Sequence, residues 1–338
     1  MPLSAPKANL NILGIESSCD DAAASIYSSG QKKLLSNVVS SQIKVHNPFG
    51  GVVPELASRE HFKNIPLVVD QALQEAGLDV DDIDLISVTH APGLIGSLLV
   101  GLAYAKGLAF SKNIPFIGVH HIEAHMLAIH IEKKIPFPYV ALVVSGGHTH
   151  LYVIHDVGEY ELVGATCDDA AGEVFDKVGK IFNLGFPGGP VIDRLSKKGN
   201  PKAISFPRAF IKDEQFRFSF SGLKTAVSYY IQKNPHYNIN DVLASFQEAV
   251  VDVLVHKALK LALKRNISNV VVCGGVACNS RLRERMDEVL SVHKINFSVP
   301  TPKLCADNAA MIAYTGWELW KKGRQDNFDL NAFPNKVL

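Results

Sequence analysis

Excess charge of either sign is missing from this chain of 338 residues: 34 Lys and Arg face 33 Asp and Glu, for a formal net charge of +1. No overall field draws it to phosphate, so a nucleic-acid partner requires a local basic patch. Paired cysteine spacing is missing too. Cys19, Cys167, Cys273, Cys278 and Cys305 are odd in number, scattered and nowhere spaced C-x-x-C, which points to reduced thiols in a cytoplasmic setting. No run reaches the roughly 20 apolar residues of a membrane span. The most apolar long segment, LIGSLLVGLAYAKGLAF, carries Lys106, Gly96, Gly101 and Gly107 and reads as a buried core helix. The opening MPLSAPKANL has neither the apolar run of a secretory signal nor the arginines of a transit peptide, so no address is expected. What the chain does have is 47% hydrophobic residues, enough to furnish two cores.

Two segments open alike. Residues 11–27, NILGIESSCDDAAASIY, and 139–154, YVALVVSGGHTHLYVI, each run as an apolar strand, a short small-and-polar turn and a second apolar strand. Such a hairpin turn can set backbone N–H groups and a hydroxyl or carboxylate against phosphate oxygens. Its recurrence, each time ahead of alternating helical and strand patterns, predicts a duplicated α/β domain with a cleft between the copies. The connector is expected at IEKKIPFP, residues 131–138. Two further turns add to a nucleotide cleft. NVVVCGGVACN runs a strand into Gly274 and Gly275 ahead of a helix from about Ser280, and GFPGGPVIDRL sets Gly188 and Gly189 before a helix with Pro190 in its first turn and Asp193 facing back. Taken alone, each glycine pair is an ordinary turn. In DDAAGEVFDKVGKIFNLG, Glu173, Asp176, Lys177 and Lys180 form one polar helical face, and a solvated stripe is the simpler account of it.

The stretch GVHHIEAHMLAIH raises the question of a metal. A helix starting near His120 or His121 places His121 and His125 on one face, the spacing that two helical ligands of a single ion need. A zinc peptidase of the H-E-x-x-H kind needs its glutamate directly after the first histidine, whereas Glu123 falls roughly 200° around the helix from both imidazoles. A third ligand is sought at FSVPTPKLCADNAAMIAYTGWELW, where Asp307 opens an apolar helix. An N-cap aspartate would sit there as well. With the histidine pair, Asp307 would complete a two-His-one-carboxylate site spanning the cleft, a set suited to iron(II) or zinc.

Together GIESSCDDAAAS, GGVVPELASREH, THAPGLIGSLLVG, HHIEAH, LVVSGGHTHL, GEVFDKVGK, PGGPVIDRL, FSFSGLKTAV, CGGVACNSRLR and CADNAAMIA resemble, in order, the motifs of the tRNA N6-adenosine threonylcarbamoyltransferases, from about residue 11 to about residue 318. The resemblance implies an α/β fold of two duplicated actin-, sugar-kinase- and heat-shock-chaperone-like lobes of the ribonuclease H-like kind with an interlobe cleft. Residues 1–135 would form the first lobe with the two metal histidines, and 136–338 the second with the nucleotide turns, a basic insertion and the metal aspartate. Carried over position by position, the metal ligands match His121, His125 and Asp307. The nucleotide and substrate contacts match Val143, Val144, Ser145, Gly146, Gly147, Asp176, Gly189, Asp193 and Asn279. Where archaeal and eukaryotic cytosolic members place a tyrosine, this chain has Val143, so it is similar to the bacterial and mitochondrial branch, with a water or the substrate expected at that coordination position.

The implied reaction transfers a threonylcarbamoyl group from threonylcarbamoyl-AMP to N6 of adenosine 37 in tRNAs reading codons that begin with A, releasing AMP. One divalent metal is implied, iron(II) ahead of zinc, to polarise the carbamoyl carbonyl and stabilise the departing AMP. The turns at 145–147, 188–189 and 274–275 would hold the adenylate, and Asp176 and Asp193 the ribose or threonyl groups. No residue stands out as general base; Asp20 and Asp21 are candidates by position. Implied partners are tRNA, a paralogue lacking the metal site and a small P-loop ATPase, with no membrane, in the bacterial cytoplasm or, for a processed form, the mitochondrial matrix. For tRNA, residues 194–224 bring Arg194, Lys197, Lys198, Lys202, Arg208, Lys212, Arg217 and Lys224 against Asp213 and Glu214, interleaved with Phe206, Phe210, Phe216, Phe218 and Phe220. Exposed aromatics there could stack unpaired bases, or the phenylalanines are core and the lysines merely solvated. The rivals are a metal-dependent endopeptidase and an ATP-driven actin-like switch or chaperone; the latter needs no histidine pair.

Overall fold

The apolar run NILGIE forms β1 (Asn11–Glu16) and DAAASIYS forms β2 (Asp21–Ser28), paired antiparallel with Asn11 opposite Ser28. Both strands are buried nearly end to end, as continuous apolar runs are when a sheet is covered on both faces. The computed structural model of the chain describes residues 9–211 and 214–338, so Lys212 and Asp213 of the basic segment lie outside the described residues. Three more strands complete the first sheet: β3 (Lys33–Ser41), β4 (Leu85–Ala91) and β5 (Phe116–His120), in the order β3-β2-β1-β4-β5. The β1–β2–β3 meander is antiparallel, while β4 lies parallel to β1 and β5 parallel to β4. Parallel neighbours need a crossover, which the helices Pro54–Ala76 and Ile95–Lys112 supply.

The second sheet repeats this plan. Strands β6 (Tyr139–Val144), β7 (Thr149–Asp156), β8 (Glu159–Ala165), β9 (Asn269–Cys273) and β10 (Asn296–Ser298) run in the order β10-β9-β6-β7-β8. Again the first three strands form an antiparallel meander and the last two are parallel. The predicted hairpins at 11–27 and 139–154 are β1–β2 and β6–β7. Each sheet has its own core, one around Leu13, Ile15, Ile86 and Val88, the other around Val140, Leu142, Val270 and Phe246.

The division of the chain differs from the expected 1–135 and 136–338. One compact unit comprises Met1–Lys134 with Asp307–Leu338, the other Ile135–Ala306. The helix Ala309–Lys321 packs on β1, β2 and β4 of the first sheet. Beyond it, Asp326 Oδ2 accepts from the Gly118 N–H at 2.9 Å, and the Phe333 N–H donates to His90 O at 2.9 Å. A terminal helix with eight buried residues follows the apolar surface that covers it, whatever its place in sequence. The helix Ile95–Lys112 is likewise only half as buried as its composition suggests: Leu98, Leu102 and Ala105 face the core, while Ile95, Leu99 and Phe110 are exposed. Among the described residues no helix is long and apolar enough to cross a membrane.

Candidate functional site

Strand β5 ends at His120 and the chain turns at once into the helix His121–Leu127, all of it buried. His121 and His125 are one helical turn apart, with ring centroids separated by 4.6 Å. Asp307 joins them: its Oδ1 lies 3.1 Å from His125 Nε2 and 3.5 Å from His121 Nε2. One ligand atom from each of the three residues falls within 4.8 Å of the others. Asp307 is not the cap of its helix. That place belongs to Asn308, whose side chain accepts from the Met311 N–H at 3.1 Å, so the carboxylate one residue earlier faces the histidines. All three residues belong to the unit formed by Met1–Lys134 and Asp307–Leu338, which replaces the expected assignment of the aspartate to the second domain.

Behind the histidines stands Glu16, fully buried at the end of β1. Its Oε2 accepts from His121 Nδ1 at 2.9 Å and from Thr89 Oγ1 at 2.7 Å, and its Oε1 accepts from the Ser18 N–H at 2.5 Å. An ionised carboxylate has no proton to give, so His121 carries its proton on Nδ1 and keeps the Nε2 lone pair for a ligand. Burial opposes a charge on His121, but Glu16 and Asp307 outweigh it and raise its pKa to about 9, so near neutral pH an ion binding at Nε2 would displace a second proton from the ring. Burial depresses His125 instead, keeping it neutral. Two imidazoles and a partly exposed carboxylate, with their lone pairs converging, fit a divalent ion of the iron(II) or zinc type. Asp20 and Asp21 flank the β1–β2 turn; burial, reinforced by Asp307, pushes Asp21 up to about 7.

In the unit Ile135–Ala306 a cavity of about 460 Å³ gathers five of the predicted contacts: Gly146, Asp176, Gly189, Asp193 and Asn279. Val143 and Val144 do not line it, being fully buried strand residues of β6; Ser145 and Gly147, in the turn beyond, do not line it either. Asp176, on the helix Ala171–Ile181, accepts from the Gly188 N–H at 2.8 Å, tying that helix to the next, Gly188–Ser196. Asp193 accepts from Ser280 Oγ at 2.9 Å, and Asn279 caps the helix Ser280–Val292 through the Leu282 N–H at 2.9 Å. Gly274 is obligatory: its φ is +90°, and a Cβ there would stand 2.4 Å from Val144 O. Glu16, Phe175 and Cys278 were not singled out from the sequence; an acid closing an otherwise apolar buried strand was the available sign for Glu16.

The basic segment divides. Phe206, Phe216, Phe218 and Phe220 are core, which removes them as base-stacking groups, and only Phe210 is exposed, with the Arg217 guanidinium 4.9 Å from its ring centre. Arg208 is paired with Asp252 at 2.8 Å, whereas Lys198, Lys202 and Lys224 are exposed.

The fold has solved counterparts. HypF from T. kodakarensis superposes with a TM-score of 0.64 at 14% identity, covering 96% of this chain and 49% of that one. The (R)-2-hydroxyglutaryl-CoA dehydratase component A of Acidaminococcus fermentans gives 0.57 at 14%, covering 93% and 98%. The chain is thus an α/β protein of the duplicated actin and heat-shock-chaperone fold class. Within that class, a family model described as TsaD, tRNA N6-adenosine threonylcarbamoyltransferase, matches residues 33–314. Proteins of that name from Geotalea uraniireducens (strain Rf4) and Clostridioides difficile (strain 630) are 52% and 50% identical over 327 and 328 residues, covering 96% of this chain in both cases and 95% and 97% of the relatives. The chain belongs to the tRNA N6-adenosine threonylcarbamoyltransferase family and is a transferase that modifies tRNA.

Proposed function

We propose that the chain takes threonylcarbamoyl from threonylcarbamoyl-AMP, delivers it to N6 of adenosine 37 in tRNAs reading codons that begin with A, and releases AMP. The observation that carries this is the convergence of Gly146, Asp176, Gly189, Asp193 and Asn279 on one cavity of about 460 Å³, a size suited to a nucleotide. Asp176 and Asp193, each anchored by a neighbouring hydrogen bond, offer carboxylate acceptors to ribose hydroxyls. The N-terminus of the helix Gly188–Ser196 opens at the same cavity and favours the adenylate phosphate. His121, His125 and Asp307 would hold the divalent ion, iron(II) ahead of zinc, and Glu16 fixes the tautomer that leaves His121 Nε2 as a donor. Bound there, the ion supplies Lewis-acid polarisation of a carbonyl or phosphate oxygen.

A metal-site-lacking paralogue is the partner we favour, supported by Phe62 and Leu67 on the helix Pro54–Ala76 and Ile95 and Leu99 on Ile95–Lys112, all exposed on two helices that pack together. The small P-loop ATPase rests on the family resemblance alone, and the cytoplasmic setting on the bacterial origin of the relatives. The test is mass spectrometry of nucleosides from tRNA of cells depleted of this protein. Loss of N6-threonylcarbamoyladenosine, restored by the wild type and not by His125→Ala, is expected. Modification that persists on depletion, or that the variant restores in full, would overturn the proposal.

A further inference from the structure

The turn Gly275–Cys278 contributes Gly275, Val276 and Cys278 to the wall of the cavity, and Ala306 lines it too. Cys305 directly precedes Ala306 and is fully buried, whereas Cys278 is exposed. The two thiols are close enough to influence each other's ionisation. Around them the backbone is closely drawn: Cys278 Sγ lies 4.0 Å from Pro302 O and Cys305 Sγ 3.2 Å from Pro300 O. Arg283 clasps the two segments. Its Nε donates to Ala277 O at 2.6 Å, and its Nη2 to Pro300 O at 3.3 Å and to Cys305 Sγ at 3.6 Å.

We propose that Cys278 and Cys305 are a peroxide-reactive dithiol whose oxidation to a disulfide reshapes the wall of this cavity and so gates nucleotide binding. The accessible member is also the reactive one: the neighbouring Cys305 thiol, against some burial and with help from Arg283, draws the Cys278 thiol down to about 7. A hydroperoxide is the oxidant. The Cys278 thiolate attacks the peroxide, forming an S–O bond as the O–O bond breaks and hydroxide leaves, which gives the sulfenic acid. Cys305 then attacks the Cys278 sulfur, the S–S bond forms, and the hydroxyl departs with the Cys305 proton as water. Closing the two sulfurs to the roughly 2.05 Å of a disulfide pulls Cys278 out of its place in the wall. Asn279, one residue on, follows it at the base of the helix it caps.

The gating half of this rests on the cavity being the adenylate site, and the chemical half does not. The experiment is titration of the full-length protein with hydrogen peroxide, followed by thiol alkylation, peptide mass analysis and calorimetric titration of AMP. A linked peptide joining Cys278 to Cys305, with AMP affinity reduced about tenfold and recovered on adding dithiothreitol, is expected. Cys305→Ser should abolish the link and leave a sulfenic acid at Cys278 that dimedone captures. Oxidation that falls on Cys19 or Cys167 and spares Cys278 overturns the chemistry, and a link that leaves AMP affinity unchanged overturns the gating. If the reduced protein fails to bind AMP, the nucleotide assignment itself falls, while the linked peptide still decides the thiol pair.

Discussion

Replacing Glu16 by glutamine changes almost no volume and should nevertheless weaken metal binding at the candidate site of His121, His125 and Asp307. The wild-type carboxylate serves three donors at once: His121 Nδ1, Thr89 Oγ1 and the Ser18 N–H. An amide has one acceptor oxygen. Turned toward His121, it sets its NH2 against the Ser18 N–H, two donors facing each other in a fully buried place. Turned toward Ser18, it forces His121 to accept at Nδ1 and so to carry its proton on Nε2, the nitrogen that faces Asp307. The first outcome costs about 1–3 kcal/mol of folding stability for an unsatisfied buried donor. The second removes a ligand lone pair, and loss of such an outer partner weakens metal binding about 10–100-fold. The assay is titration of the protein with cobalt(II) against a competing chelator, read from the cobalt d–d absorption, with circular dichroism and thermal unfolding alongside. Cobalt affinity of Glu16→Gln within about twofold of the wild type, less than about 0.5 kcal/mol, together with unchanged thermal stability would refute the argument, since neither amide orientation allows both.

Gly274→Ala should lower stability by about 1–3 kcal/mol, because the backbone must leave φ +90° and clear Val144 O; an unchanged melting temperature would contradict the close approach. Asp168 accepts from Ser219 Oγ at 2.5 Å, the Phe220 N–H at 2.8 Å and Ser221 Oγ at 2.8 Å; burial raises its pKa, but these bonds prevail and hold it below the ordinary value. A depressed folded pKa stabilises above the unfolded value and the contribution is lost as pH falls through the folded one. Asp168→Asn should therefore melt earlier than wild type near neutral pH and converge with it in acid, whereas a gap constant with pH would exclude the mechanism. Neutralising Lys197 and Lys198, both exposed, should flatten the dependence of log K for tRNA on log salt by about 1–2. An unchanged slope would place the phosphate contacts elsewhere.

Legibility in the sequence followed the range of the forces involved. The hairpins, the His121–His125 face and the helix from Ser280 are set by local periodicity and capping, and were readable as such. Asp307 was legible as a candidate ligand only beside the histidine pair and the family motif, because its own neighbourhood equally suits a cap, a place that Asn308 takes. The return of Asp307–Leu338 to the first sheet was not readable, since it depends on which apolar face the last helix covers. The phenylalanines between 206 and 220 left two readings open for the opposite reason. Interleaved with basic residues they suggest a stacking surface, yet four of them point inward from an irregular segment whose alternation no strand or helix pattern reveals.

The duplication is conserved in the backbone and divergent in the side chains, and one contact exposes both. In each unit the strand parallel to the first, β4 beside β1 and β9 beside β6, ends in a turn that presses on the hairpin. A Cβ on Gly93 would stand 2.4 Å from Ser18 O, and a Cβ on Gly274 would stand 2.4 Å from Val144 O. In both units the turn therefore comes too close to the hairpin for a side chain, and a glycine permits the approach. What differs is the hairpin's own sequence. In the first unit β1 ends with Glu16, whose carboxylate turns inward to hold His121. In the second, β6 ends with Val144 and passes to Ser145 and Gly146, which offer no acid; Gly146 instead lines the cavity with main chain. One backbone frame thus supports a histidine and carboxylate cluster in one unit and a glycine-walled pocket in the other, and the residues at the end of the first strand are part of that difference.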